Sequence, residues 1–162
     1  MTGSRIVLIL GAVLVLGVIN FSIVGKERIK RDGEVVYLDL APVDPRSLMQ
    51  GDYMALRFRL AQEIERSFGA TGPRPLDGEQ RLAKVALDER RIASLAKPGV
   101  AAPLSIRWRM RKDAVWLGTN AFFFEEGSDQ RYNGARYGEF RVDRESGEAV
   151  LVGLRDARLN PL

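Results

Sequence analysis

Leu104-Ser105-Ile106-Arg107-Trp108-Arg109-Met110-Arg111 alternates apolar and polar residues without a break. Successive side chains of a β-strand point to opposite faces, so this period of two sets Leu104, Ile106, Trp108 and Met110 against a core. Lys112-Asp113 follows as a tight hairpin turn, and Ala114 to Leu117 returns as the partner strand. Downstream, Gly118-Thr119-Asn120 separates this hairpin from Ala121 to Glu125, whose Phe122, Phe123 and Phe124 read as a buried strand or bend. Tyr137 to Val142, a Glu145-Ser146-Gly147 turn and Glu148 to Leu154 then read as a closing hairpin. Trp108, Trp116 and the phenylalanine run are expected in the core, because their spacing matches strand burial.

Upstream, Ala96-Lys97-Pro98-Gly99 makes a turn, and Arg81 to Asp88 fits both helical and alternating templates; we read it as a strand. Glu34 to Leu40 alternates with Val36, Leu38 and Leu40 on one face. Met54, Leu56, Phe58 and Leu60 give a second alternating strand, half buried. Ala61 to Phe68, with Ile64 and Phe68 four apart, suits a short surface helix stopped by Gly69, and Gly72 to Gly78 is a proline-rich loop. Short strands at close spacing leave little room for crossover helices. The expected class is therefore mainly β, a small antiparallel β-rich domain (barrel or sandwich) with short helical insertions.

Ahead of that domain, Ile6 to Val24 is a run of 19 residues without a charge. At about 1.5 Å per residue it spans roughly 28 Å, close to the hydrocarbon thickness of a bilayer. It is longer than a signal-peptide core and lacks small residues where a cleavage site needs them, so it reads as a retained single-pass transmembrane helix contacting the bilayer through residues 6–24. The chain divides into an anchor, residues 1–25, and a β-rich domain, residues 26–162. Lys26, Arg28, Lys30 and Arg31 follow the run and only Arg5 precedes it, which taken alone favours a cytoplasmic domain.

The chain has neither cysteine nor histidine. That excludes disulfides, thiolate nucleophiles, cysteine or histidine zinc sites and any Ser-His-Asp triad, and leaves carboxylates, Lys, Tyr and Ser for chemistry. A net charge of +4 over 162 residues is not the concentrated basic footprint of a nucleic-acid binder. Nothing in the sequence calls for a cofactor. Glu125, Glu126 and Asp129 lack the ligand count of a calcium or magnesium motif and read as solvated, so no metal site is expected.

Between the first two strands, Pro42 to Ser47 forms a turn-rich loop in which Asp44, Pro45, Arg46 and Ser47 lead to Gly51-Asp52-Tyr53-Met54-Ala55-Leu56-Arg57-Phe58. This last segment resembles the motif that names the GDYXXLXY-domain family. Phe124-Glu125-Glu126-Gly127 and Ala135-Arg136-Tyr137-Gly138-Glu139-Phe140-Arg141-Val142 are similar to later segments of the same family. The chain departs from the motif at Phe58, where the last tyrosine is expected. The resemblance implies a bacterial protein of the inner membrane, with its domain outside the cytoplasm, working beside a multi-span membrane protein. It implies no reaction, and enzyme activity is not expected.

Three readings of function follow. In the first, the domain is an interaction or accessory module, with Asp44, Pro45, Arg46, Ser47, Gly51, Asp52, Tyr53 and Leu56 as its docking site. The same residues also admit plain turn chemistry, in which Asp52 caps the turn at Gly51 and Tyr53 packs at a strand entrance. The second is a membrane-proximal Ser/Lys hydrolase, because Ser47, Met49 and Gly51-Asp52 faintly resemble the nucleophile region of signal peptidases; Leu48 departs from that pattern, and Lys84 or Lys97 would be the base. The third is a binder of anionic ligands or lipid headgroups. If their strands lay side by side, Arg57, Arg59, Arg107, Arg109 and Arg111 would form one guanidinium field, whereas a solvated outer sheet face explains the same alternation.

Overall fold

The computed structural model describes residues 2–41, 49–50, 53–69 and 72–162. α1 (Thr2–Asp32) is one unbroken helix, exposed along its apolar run and long and apolar enough to cross a membrane. It continues through Gly25 and Lys26 for about two further turns, so the division between anchor and domain falls inside a helix.

Ten strands follow among the described residues. β1 (Glu34–Asp39), β9 (Tyr137–Val142) and β10 (Ala149–Arg155) form one antiparallel sheet with β9 in the middle. β2 (Met49–Gln50), β3 (Tyr53–Ala55) and β8 (Ala121–Phe123) form a second. β5 (Ala93–Leu95), β4 (Gln80–Leu87), β6 (Leu104–Arg111) and β7 (Ala114–Trp116) form a third, in that order. Single bridges from Tyr37 to Ile92 and from Leu40 to Phe58 link β1 to the chain leading into β5 and to the end of the signature segment. Among the described residues the architecture is antiparallel and β-rich, with a curled half-barrel sheet and two α-helices.

The alternation of β6 is fully realised: Leu104, Ile106, Trp108 and Met110 are buried, and Arg107, Arg109 and Arg111 are exposed. They join Val36, Leu38, Leu56, Phe58, Phe140, Val142 and Leu154 in one hydrophobic core. Lys112 and Asp113 both have positive φ (48° and 61°), the backbone of a two-residue hairpin turn that matches strand twist. The segment from Arg81 is a strand, as read, within β4.

The second alternating strand is shorter than its pattern suggests. Met54, Leu56, Phe58 and Leu60 are all buried, but β3 stops at Ala55 and α2 (Arg59–Ser67) begins directly after Phe58. Leu60, Ala61 and Ile64 share a helical face, so Leu60 reaches the core from a helix and not from a strand. α2 ends before Gly69, whose φ of +88° is left-handed backbone that glycine adopts without strain. The phenylalanine run also departs from expectation: Phe122 and Phe124 are half-buried, whereas Phe123 is 75 % exposed. In a single strand the middle residue of three must face the other way, and here that side is solvent.

Candidate functional site

The signature segment enters the fold as β3 and the turn into α2. Leu56 and Phe58 are buried, and Phe58 packs edge-on against Phe140 with ring centroids 5.2 Å apart. The position where the motif expects a tyrosine is thus a core position. Tyr53 lies opposite Phe123 in the β3–β8 pairing, with rings 5.8 Å apart, and Phe122 and Phe124 each pack on Tyr132 at 5.1 and 5.3 Å. Tyr53 and Phe123 therefore form an aromatic ridge on one face of β8, an edge strand among the described residues, while Phe122, Phe124 and Tyr132 cluster on the other face. Asp44, Pro45, Arg46, Ser47, Gly51 and Asp52 lie outside the described residues, so of the expected docking residues only Tyr53 and Leu56 take places in this arrangement. Lys84 and Lys97, the bases of the hydrolase reading, are both exposed.

The five arginines of the expected guanidinium field do not come together on neighbouring strands. β3 pairs with β2 and β8, whereas β6 pairs with β4 and β7. Arg57 sits on the exposed link after β3, beside a groove of about 420 Å³ that also includes Gln62, Glu65 and Asp113. Arg59 opens α2 and pairs with Asp39 at 3.2 Å. Arg107, Arg109 and Arg111 remain together on the outer face of β6. Arg111 and Arg109 stand over the Trp116 ring at 4.5 and 6.0 Å, a cation–π arrangement that holds the guanidinium groups in place.

Two features escape the sequence reading. Glu63 and Glu65 on α2 accept the backbone N–H groups of Leu95 in β5 and Val115 in β7, both at 2.8 Å. β5 and β7 are the two edges of the four-stranded sheet, so one helix straddles its inner face and satisfies a donor at each side. Phe68 completes the contact against Trp108. On sequence alone these glutamates belong to a solvated helix face, because nothing local marks a partner some 30 to 50 residues away.

The second feature is a recurrent arrangement in which one carboxylate is bracketed by two arginines. Glu34 pairs with Arg91 and Arg144, Asp39 with Arg59 and Arg136, and the buried Glu139 with Arg155 and Arg141. Burial pushes the Glu34 carboxyl up, but hydrogen bonds from Arg91 and Arg144 outweigh it and hold the group below the usual carboxylate range. Asp143 is likewise held low, by the Ser146 hydroxyl and backbone N–H, each at 2.7 Å, in the turn joining β9 to β10. These networks tie β1, β9 and β10 to their surroundings. Among the described residues, no group of three or more acids could hold a metal ion.

The fold and its exposed features define a class: a β-rich domain behind a long apolar helix, presenting an aromatic edge and a basic face. The family model described as GDYXXLXY protein matches residues 15–154, and the chain belongs to that family. No curated protein and no solved structure matches it.

Proposed function

We propose that this protein is a single-pass inner-membrane protein whose extracytoplasmic β-rich domain is an interaction module, docking on a larger multi-span membrane protein. The observation that carries this reading is the ridge on β8. Phe123 is 75 % exposed on an edge strand, beside Tyr53 of the signature segment. An exposed apolar edge strand is a template for pairing with another chain and an aggregation hazard if left bare. A partner strand or apolar segment laid along β8 would meet its outer edge and cover the ring of Phe123 together. Tethering by α1 would raise the effective concentration of such a partner in the same membrane.

The test is site-directed photo-crosslinking in intact cells. A benzophenone amino acid replaces Phe123 in one variant and Val100, another exposed apolar residue away from β8, in the other. The expected result is a discrete adduct with a membrane protein from position 123 and none from position 100. Adducts of equal yield from both positions, or none from position 123, would reject the ridge as the docking surface.

A further inference from the structure

We propose that the basic outer face of the four-stranded sheet binds the phosphate of an anionic lipid headgroup in a groove between β6 and the first turn of α1 beyond its apolar run. The groove, of about 220 Å³, is lined by Lys26, Gln80, Arg107, Arg109, Trp116 and Glu148, among others. Three of these side chains are cations and one is a carboxylate, Glu148, which pairs with Lys26. The strands behind the groove deepen the asymmetry. β4, β5, β6 and β7 together carry Arg81, Lys84, Arg107, Arg109 and Arg111 and not a single Asp or Glu.

Geometry favours phosphate over a lone carboxylate. Gln80, Arg109 and Trp116 stand in one cross-strand row, since Gln80 pairs with Arg109 and Arg109 with Trp116. Arg109 stands over the Trp116 ring at 6.0 Å, which orients a donor of the planar, forked kind that matches phosphate oxygens. Arg107 and Arg109 themselves are exposed and take no acid as ion-pair partner among the described residues.

Position favours lipid over a dissolved anion. Lys26 lies two residues beyond Val24, the last residue of the apolar run, which is headgroup depth for a helix that crosses a bilayer. Trp116 has the amphipathic ring enriched at that depth, and Leu82, 56 % exposed, pairs with Arg107 in the β4–β6 register and adds an apolar contact. Basic residues next to a membrane span draw anionic lipid, each adding to the attraction.

The inference rests on the membrane tether proposed above, and the experiment separates the two. Full-length protein is reconstituted in vesicles of phosphatidylcholine with a minority of phosphatidylglycerol. It is then extracted in mild nonionic detergent, and its retained phospholipid is counted by native mass spectrometry. Two net positive charges lead to an expected preference for phosphatidylglycerol of roughly thirtyfold over its share of the vesicle. Arg107→Gln/Arg109→Gln abolishes that preference, while Arg66→Gln/Arg158→Gln, which removes two exposed arginines elsewhere, leaves it unchanged. Glu148→Gln, which removes the groove's carboxylate and frees Lys26, increases it.

Wild-type protein without a preference overturns the proposal, as does a preference that survives Arg107→Gln/Arg109→Gln. A decrease in Glu148→Gln overturns it too, and this variant decides the matter should the double arginine variant misfold. Inorganic phosphate that displaces the lipid as effectively as short-chain phosphatidylglycerol overturns the lipid source in favour of free phosphate. Release of the protein from vesicles by alkaline carbonate overturns the tether, whereas protein that stays in the bilayer without selecting lipid overturns the groove alone.

Discussion

At the residue scale, Glu34 is held from two sides: its carboxylate receives Arg91 and Arg144, while Arg91 also donates to the carbonyl of Val35 at 2.7 Å. Its carboxyl is held low in the folded protein, so folding favours the ionised form. The stability this contributes is present above the unfolded value of about 4.3 and is lost as pH falls through the folded value. Asp143 and Asp156, held low by their own turn hydrogen bonds, act in the same direction. We expect urea unfolding midpoints to fall as pH drops below about 4. Glu34→Gln should lower stability at neutral pH by about 1 kcal/mol, since both arginines remain partly solvated, and should flatten the acid limb of the profile. An unchanged acid limb in Glu34→Gln would assign the pH dependence to the other carboxylates held low, Asp32, Glu79, Asp143 and Asp156.

At the element scale, the β6–β7 hairpin is where local sequence and final structure agree most closely. A strict period of two, with a large apolar residue at every second position, leaves one orientation open to β6, and the sheet realises it. The strain in the hairpin lies in its turn, where Lys112 occupies φ 48°, a left-handed backbone that costs a residue with a Cβ about 1–2 kcal/mol. Lys112→Asn should therefore raise stability by several tenths of a kcal/mol to about 1 kcal/mol, read as a higher thermal midpoint with unchanged circular dichroism. The segment after β3 was less legible. Met54, Leu56, Phe58 and Leu60 alternate over too few residues to distinguish a strand from a strand that hands over to a helix at Arg59. The choice is made by Ile64 and by the distant N–H groups of Leu95 and Val115, which only the helix can satisfy. For the same reason the arginine face was legible strand by strand but not as a field: alternation tells which face each arginine takes, whereas strand order depends on pairings between residues far apart in the chain.

At the scale of the whole molecule, the question is what α1 does for a domain that already has a core of its own. Its apolar side chains from Ile6 to Val24 contribute nothing to that core, being exposed throughout, while the helix beyond Gly25 packs near β9 and β10 and closes with Gly33 N–H on the Ile29 carbonyl. Leaving so much apolar surface in water would be costly at about 25 cal/mol per Å², so some apolar medium has to receive it. A bilayer fits its length, and on the proposed tether the domain needs none of these side chains to fold. Leu10→Arg/Leu14→Arg places two charges near the middle of the run, at about 2.5–3.5 kcal/mol each on insertion scales. We expect this variant to shift from the carbonate-resistant pellet to the soluble fraction while its domain keeps the wild-type thermal midpoint. Retention in the carbonate-resistant pellet would mean that two central charges do not break insertion of α1; loss of the domain's cooperative melt would mean that α1 is part of the fold and not only its tether.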